Sequence, residues 1–385
     1  KRNQIEWLFT GYTEPFLIFS PPWLLIENFK YGMQTFSELA GAAPSGLLVP
    51  YSNWEPSAID ILRGAGINYC ILSKSSIPPE YRSYCGYWTT EHMGSAMAFF
   101  PSQVVSAIAS ERLLTSLDAQ FDADPRKTFP TKIICIDVLH DLARGSAETL
   151  DAIKQTLRAL DTMLLSFQPM RCSEFLSSHF TLGLHYMPPS LTMERDARDG
   201  DPYFLNRLHA YDQAGIIQRK LMDVAENLAG RKETKSFESL KKTLFFVQDI
   251  NRFLPSRSSG FLQASDRLWC YEKLIDIERT LHDKDEIKGG HIRITDFLKN
   301  GTKTLIMANN NLSLFIDYKN GGQVFEIDYK SRNFNACAAL NPCRHTMPMI
   351  VECPHSKTGF VDHCLPPATD MQEFWNTSGL ELGDF

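Results

Sequence analysis

The most informative carboxylate in the sequence is Asp137, which ends the apolar, β-branched run of residues 132–137. Carboxylates at the carboxyl ends of parallel strands lie where barrel enzymes build their active sites. Asp137 is therefore a candidate catalytic acid or base, and the alternative is that it caps the loop that follows. Glu14 also has two interpretations, because it either binds a substrate hydroxyl group or caps a helix.

Cysteine and histidine are the residues that would indicate a metal site. The nine cysteines are odd in number and scattered, and no CxxC pair occurs. Residues 337–364 contain four of them with three histidines, but their spacing matches no standard zinc pattern. We therefore expect no metal and no cofactor. Most cysteines are expected to be buried thiols in a reducing, cytoplasmic setting.

Composition excludes several classes of protein. A chain of 385 residues with 43% hydrophobic and 22% charged residues is typical of two or three globular domains. The net charge of -6 disfavours nucleic-acid binding, which normally requires a basic surface. The sequence has no run of 18 apolar residues, so we expect no membrane span. Nothing in it indicates an oligomeric state.

Apolar runs alternate with helical patterns up to about residue 190. Strands are predicted over 47–49, 69–72, 98–100, 132–137 and 182–187, and helices over 57–65 and 148–167. This alternation is typical of parallel α/β structure. Helical patterns follow over 215–229, 236–253 and 264–281. Short alternating strands over 304–307, 312–317 and 323–329, separated by Asn- and Gly-rich turns, then predict an antiparallel β domain.

Five stretches, in this order, form a set of motifs. They are residues 11–15, 51–56 with 64–69, 86–101, 311–335, and 362–367 with 383–385. Gly-Tyr-Thr-Glu-Pro at 11–15 resembles the Gly-Tyr-x-Glu-Pro motif of glycoside hydrolase family 57. Tyr-Ser-Asn-Trp-Glu-Pro at 51–56 resembles that family's Glu-Arg-Val-Trp-Glu-Pro segment. Together the five stretches resemble the 4-α-glucanotransferase and α-amylase branch of this family.

The resemblance implies a fold that agrees with the patterns. It implies an incomplete parallel β/α barrel over 1–195, a helical region over 196–288 and the start of an antiparallel β-sandwich over 289–385. The family's first barrel strand, with its His-Gln-Pro motif, is expected to precede Lys1. The sandwich is expected to continue beyond Phe385.

The resemblance also assigns catalytic positions. Retaining glycoside hydrolysis uses two carboxyl groups about 5–5.5 Å apart, one as nucleophile and one as acid/base. The family's nucleophilic Glu corresponds to Tyr51, and its acid/base Asp corresponds to Asp137. A phenol has a reference pKa near 10, against about 4.3 for Glu, so it is a poor substitute at neutral pH. The family's Gly-Glu-Lys-Phe-Gly after the Asp is missing, and so is its Trp-His-Gly in the matching stretch 248–255.

The partner implied is an α-glucan or maltooligosaccharide. The candidate binding residues are Tyr12, Glu14, Trp54, Glu55 and Glu91. Trp54 would stack on a sugar ring, or alternatively belongs to the core.

We expect a catalytically impaired homologue that still binds α-glucan. Two alternatives remain open. The first is an active retaining enzyme in which Glu55 or Glu91 replaces the nucleophile and acts with Asp137. The second is a non-enzymatic interaction scaffold, which a closed cleft filled by Tyr51 and Phe253 would favour.

Overall fold

The computed structural model describes most of the chain up to residue 340. The described residues are 6–17, 19–73, 86–106, 133–137, 151, 154, 155, 157–159, 161, 168–190, 212–229, 231, 235–253, 264–284, 289–319 and 322–340. The chain forms two compact units. The first consists of Lys1–Tyr12 and Leu25–Phe204, and the second of Thr13–Leu24 and Leu205–Phe385. The short segment Thr13–Leu24 thus belongs to the second unit.

A six-stranded sheet organises the first unit. Its strands are β1 (Leu8–Phe9), β2 (Gly46–Leu48), β3 (Tyr69–Ser73), β4 (Trp88–His92), β5 (Ser95–Ser106) and β6 (Ile133–Asp137). β1, β2, β3 and β5 are adjacent and parallel. The first part of β5 pairs antiparallel with β4, and its second part pairs parallel with β6. The long β5 therefore joins a hairpin to a parallel sheet.

Helices and aromatic side chains complete the first unit. The helices are α1 (Pro22–Ala40), α2 (Ala58–Gly64) and α3 (Cys172–Ser178). One core cluster contains Tyr69 and Ile71, alternate residues of β3 that point to one face of the sheet. Phe100 of β5 and Phe175 of α3 pack against them. Burial of these rings fixes α3 to that face.

The second unit combines helices with a five-stranded sheet. Its helices are α4 (Asp212–Ala229), α5 (Lys235–Val247), α6 (Ala264–Lys284) and α7 (Ala336–Leu340). Its strands are β7 (His291–Thr295), β8 (Thr304–Ala308), β9 (Leu312–Asp317), β10 (Gln323–Tyr329) and β11 (Phe334–Asn335). They pair antiparallel in sequence order. Burial alternates along β9 and β10, so every second side chain faces the interior.

The predicted fold class is confirmed, since a parallel sheet with helices precedes a helical region and an antiparallel sheet. One predicted element is wrong. Residues 182–187 form no strand, and only Leu184 makes an isolated bridge, to Thr89. Gly183 has a φ of 146°, which interrupts the extended conformation there. The described residues of the predicted helix 148–167 are helical. The predicted boundary near 195 lies outside the described residues, and the three-domain division stays a prediction.

Candidate functional site

The carboxyl edge of the first sheet carries the two positions assigned to catalysis. β2, β3, β5 and β6 are parallel, so their carboxyl ends lie along one edge. Tyr51 follows the end of β2 by three residues, and Asp137 is the last residue of β6, opposite Ser106 of β5. The backbone therefore places both positions at the edge where α/β proteins build their sites.

The Tyr51 turn has an unusual backbone. Tyr51 lies in a 3₁₀ turn, Pro50–Ser52, with φ 52° and ψ 18°, and Ser52 has φ 48°. A non-glycine residue in this left-handed region costs roughly 1–3 kcal/mol, and such residues cluster at functional sites. The Tyr51 side chain is 42% exposed. The turn therefore presents a phenol to solvent on a strained loop.

A hydrogen-bond network surrounds this turn. The buried hydroxyl of Ser52 accepts a bond of 2.7 Å from the N–H of Ser73. The carbonyl oxygen of Ser52 accepts a bond of 2.9 Å from the hydroxyl of Ser190. Trp54 and Ser190 exchange two backbone hydrogen bonds, of 2.9 and 3.0 Å. These bonds hold both sides of the strained turn.

Trp54 is a core residue, so the prediction that it stacks on a sugar is wrong. Its side chain is completely buried, and its indole Nε1 donates a hydrogen bond of 3.2 Å to the carbonyl oxygen of Met187. Stacking on a ligand requires an accessible ring face. The core interpretation, the alternative for this residue, is the one that the structure supports.

Glu55 has a perturbed carboxyl group. Burial raises its pKa, and this effect outweighs the hydrogen bonds from Ser57 and the charge of His92, which lower it. Its Oε2 atom is buried without a hydrogen-bond partner among the described residues. The carbonyl oxygen of Glu55 accepts a bond of 2.9 Å from the N–H of Ala58 at the start of α2. Glu55 thus closes a turn, and its carboxyl group is also suited to hold a proton.

Glu91 lies far from Asp137, so the predicted pairing of these two carboxylates is wrong. Glu91 is opposite Ala96 of β5, whereas Asp137 is opposite Ser106 of the same strand. At about 3.3 Å per residue, that stretch of β5 separates the two positions by roughly 33 Å. Retaining chemistry requires about 5–5.5 Å between the carboxyl groups. The hairpin carries Glu91, which is exposed, away from the carboxyl edge.

Tyr12 packs against α1. Its backbone N–H donates a hydrogen bond of 3.0 Å to Oδ1 of Asn28. Its ring packs edge to face against that of Tyr31, with the ring centroids 4.5 Å apart. Gly32 allows this close approach, because a Cβ atom there would lie 2.5 Å from the nitrogen of Tyr12. The half-buried ring of Tyr12 is therefore held by helix packing.

Glu14 belongs to the second unit, where it joins two chain segments. Its Oε2 accepts a bond of 2.7 Å from Nδ2 of Asn251, and its carbonyl oxygen accepts one of 2.8 Å from the N–H of Ile250. Nδ2 of Asn251 also donates a bond of 2.9 Å to Oδ1 of Asp249. Burial raises the pKa of Glu14, and the charge of Asp249 adds to the effect. The Asn251 amide thus lies between two carboxyl groups.

Three partners of these residues were missed by sequence reasoning. Asn251 lies in the stretch 248–255 that matches a family motif, which was an available signal. Ser52 follows Tyr51 directly, but its network depends on residues distant in sequence. The charge of His92 acts on Glu55, and no sequence pattern indicates that.

The described ranges offer no metal centre and no membrane helix. No group of three or more His, Cys, Asp or Glu side chains within them is arranged to hold a metal ion. None of their helices is both long and apolar enough to cross a bilayer. The cysteine–histidine cluster of 337–364 lies outside the described residues, apart from its first four positions. Cys337 is a buried free thiol there.

Sequence comparison identifies two curated relatives, and no family model matches the chain. α-Amylase 1 of Dictyoglomus thermophilum is 22% identical over 407 residues, which cover 94% of this chain and 57% of that protein. The α-amylase of Pyrococcus horikoshii is 22% identical over 444 residues, which cover 100% of this chain and 66% of that protein. The chain thus spans less than two thirds of the length of these two relatives.

Solved structures share the fold. The 4-α-glucanotransferase of Thermococcus litoralis superposes with a TM-score of 0.61 at 17% identity, over 87% of this chain and 55% of that one. A GH57-type branching enzyme of Pyrococcus horikoshii gives a TM-score of 0.52 at 10% identity, over 72% of this chain and 65% of that one. The chain thus resembles α-amylases in sequence and a GH57-type enzyme in fold. Like these structures, it has the predicted architecture of a parallel sheet with helices followed by an antiparallel sheet.

Proposed function

We propose that this family 57 relative binds α-glucan and turns it over weakly or not at all. The observation that carries the proposal is Tyr51. By the sequence resemblance it corresponds to the family's nucleophilic Glu, and it lies on an exposed turn at the carboxyl edge of the parallel sheet. Asp137 ends a strand at the same edge, which supports our proposal that the acid/base is kept while the nucleophile is replaced.

The chemistry of the replacement supports impaired turnover. A carboxylate nucleophile attacks the anomeric carbon of the sugar and forms a covalent glycosyl-enzyme intermediate. A phenol with an ordinary pKa is protonated at neutral pH, so it supplies neither that nucleophile nor a negative charge to stabilise an oxocarbenium ion. Sialidases use a tyrosine nucleophile, but their sugar substrate carries its own negative charge.

The exposure of the turn supports retained binding. Tyr51 presents an accessible aromatic ring with a hydroxyl group, and aromatic rings fit the apolar faces of pyranoses. Phe253 is buried within the second unit against Phe16 and Phe19, with centroid distances of 6.1 and 4.4 Å. Phe253 is therefore a core residue of the second unit.

Titration calorimetry with maltoheptaose tests the binding proposal. We expect heat of binding for the intact chain and for a Tyr51→Phe variant, because the phenyl ring keeps the stacking surface. A β-linked oligosaccharide of equal length is the matched control and is expected to give no heat. An absence of heat with millimolar maltoheptaose would remove α-glucan binding from the proposal.

A second candidate is an active enzyme that uses Glu55. It is favoured by the buried Oε2 atom of this side chain, which lacks a partner among the described residues. In that case maltooligosaccharide transfer would be abolished by Glu55→Gln and unaffected by Tyr51→Phe. Under our first proposal, neither variant changes the low turnover of the parent chain.

We also propose a reducing, cytoplasmic setting. The support is that the described cysteines are free thiols, namely Cys70, Cys172, Cys270 and Cys337. Thiol titration of the unfolded protein, purified without reductant under rapid alkylation, tests this. We expect no disulfide, and a recovered disulfide would contradict the setting.

A further inference from the structure

A buried lysine with three carboxyl groups lies inside the second unit. The Nζ atom of Lys220, on α4, is 2.6 Å from Oε1 of Glu326, 2.5 Å from Oδ2 of Asp328 and 3.1 Å from Oε2 of Glu278. Glu326 and Asp328 are alternate residues of β10 and so point to one face of the sheet. Glu278 comes from α6. This cluster connects a strand to two helices.

The charges of the cluster do not balance if every group is ionised. Lys220, Glu326 and Asp328 have no exposed side-chain surface, and Glu278 is 11% exposed. One ammonium against three carboxylates would leave two negative charges uncompensated away from water. A buried acid in such an environment takes up a proton instead, because desolvation penalises its charged form.

Hydrogen bonding distinguishes the two carboxyl groups of β10. Asp328 accepts bonds through both oxygens, from Lys220 at 2.5 Å and from Nδ2 of Asn335 at 2.8 Å. Two donors stabilise its charged form. Glu326 accepts a bond from Lys220 through Oε1, but its buried Oε2 has no partner among the described residues. The ionised state is thus supported better at Asp328 than at Glu326.

We propose that Glu326 is a protonated carboxylic acid at neutral pH and that Asp328 is the carboxylate paired with Lys220. Burial raises the pKa of Glu326 well above its ordinary value, the charge of Asp328 adds to this, and Lys220 opposes it. Glu278 is 11% exposed and lies near Arg293, but burial raises its pKa too. Its Oε2 atom has no hydrogen-bond partner among the described residues, so a Glu278→Gln variant is part of the test below.

The surrounding elements supply little further positive charge. The titratable and charged groups that face the cluster are Lys220 and Asp223 on α4, Tyr271 and Glu278 on α6, Arg293 on β7, Asp328 on β10 and Cys337 on α7. Arg293 is bound by Asp223 through two hydrogen bonds, of 2.8 and 2.7 Å. Burial raises the pKa of Cys337 to about 11, so that thiol stays neutral.

The held proton makes the packing of this unit depend on pH. The folded-state pKa of Glu326 is raised, so the contribution of this group to stability is complete below its unfolded pKa. It is lost progressively as the pH rises toward the folded pKa. Gln218, also on α4, donates a bond of 3.3 Å to the carbonyl oxygen of Phe19, in the segment that carries Glu14. Alkaline weakening of α4 is therefore expected to extend to that segment.

Infrared spectroscopy and thermal unfolding of the intact chain test the proposal with Glu326→Gln, which mimics a protonated acid. We expect a carboxylic-acid carbonyl band in the parent spectrum at neutral pH that is absent from the variant. We also expect the Tm of the variant to fall less than that of the parent between about pH 5 and pH 9. The matched control is Glu226→Gln, an exposed position on α4, the helix that carries Lys220, and it should change neither measurement.

A second variant covers a failure of Glu326→Gln to fold. In Asp328→Asn, Glu326 becomes the main β10 partner of Lys220, so we expect it to ionise and the band to disappear. A parent spectrum without the band, or a Glu326→Gln Tm profile parallel to that of the parent, would overturn the proposal. A band that survives Glu326→Gln and disappears in Glu278→Gln would place the proton on Glu278 and would also overturn it.

Discussion

The hydroxyl group of Ser52 accepts a hydrogen bond of 2.7 Å from the backbone N–H of Ser73, the last residue of β3. This bond ties the turn that carries Tyr51 to the carboxyl end of the neighbouring strand. Both Tyr51 and Ser52 have a positive φ, so the turn depends on bonds of this kind to keep its conformation.

Two substitutions of Ser52 are expected to distinguish the contribution of its hydrogen bond to stability from the cost of the backbone strain. Ser52→Ala leaves the N–H of Ser73 without its acceptor and should lower the free energy of unfolding by about 1–3 kcal/mol. Ser52→Gly loses the same bond but relieves the strain of a φ of 48°, so its loss should be smaller. Urea unfolding of both variants measures the difference. Equal losses would show that the turn is not strained.

Gly32 is expected to be required for the packing of Tyr12. A Cβ atom at this position would lie 2.5 Å from the nitrogen of Tyr12 and 2.8 Å from the carbonyl carbon of Gly11. Gly32→Ala should therefore destabilise the first unit by about 1–3 kcal/mol or more, because the backbone must move. Gly64→Ala is the control, since a Cβ atom there meets nothing within 4 Å. It should be neutral or stabilising by up to about 1 kcal/mol, and a similar loss in both variants would contradict the packing argument.

Glu14 is expected to make a pH-dependent contribution to stability. Its folded-state pKa is raised by burial, so its contribution is complete below the unfolded pKa and is lost as the pH rises through the folded pKa. Glu14→Gln removes this titration while keeping an acceptor for Asn251. The free energy of unfolding of the variant, relative to the parent, should therefore increase between about pH 4 and pH 7. The exposed Glu91→Gln should show no such trend, and a flat difference for Glu14→Gln would contradict the prediction.

Lys220 is expected to be essential for the second unit. Lys220→Met leaves buried carboxyl groups without their cation, and breaking one partner of a buried ion pair typically costs about 3–5 kcal/mol. Adding Asp328→Asn should recover part of that loss, because the carboxylate that was paired with Lys220 is then replaced by a neutral amide. A double-mutant cycle by chemical denaturation measures the recovery. Strict additivity of the two changes would show that Lys220 and Asp328 do not interact.

Much of the fold was predictable from local patterns. The run Ile-Ile-Cys-Ile-Asp forms β6 as expected, and the predicted bounds of β9 and β10 are those observed. The alternation marked these strands but not their inner faces, because the polar residues Ser313, Asp317, Glu326 and Asp328 are buried. Helix α1 was not predicted, although Pro22 is well suited to its first turn. A glycine at position 32 and its many aromatic residues obscure the helical period.

The site was less predictable, because distant contacts determine it. Local rules disfavour a positive φ at Tyr51, and bonds from residues 73 and 190 support the turn. The position of Glu91 depends on the two-residue loop Met93-Gly94, which reverses the chain between β4 and β5. Only one of those two residues is a glycine, so the hairpin signal was weak. A carboxylate that was expected at the carboxyl edge is therefore far from it.

Product analysis after incubation of maltoheptaose with the intact chain tests the central claim most directly. We expect the parent chain and a folded Tyr51→Phe variant to leave the distribution of oligosaccharide lengths essentially unchanged, and Tyr51→Glu to increase transfer or hydrolysis if Asp137 still serves as acid/base. Transfer or hydrolysis by the parent chain that Tyr51→Phe abolishes would contradict the claim, since Tyr51 would then be a working nucleophile.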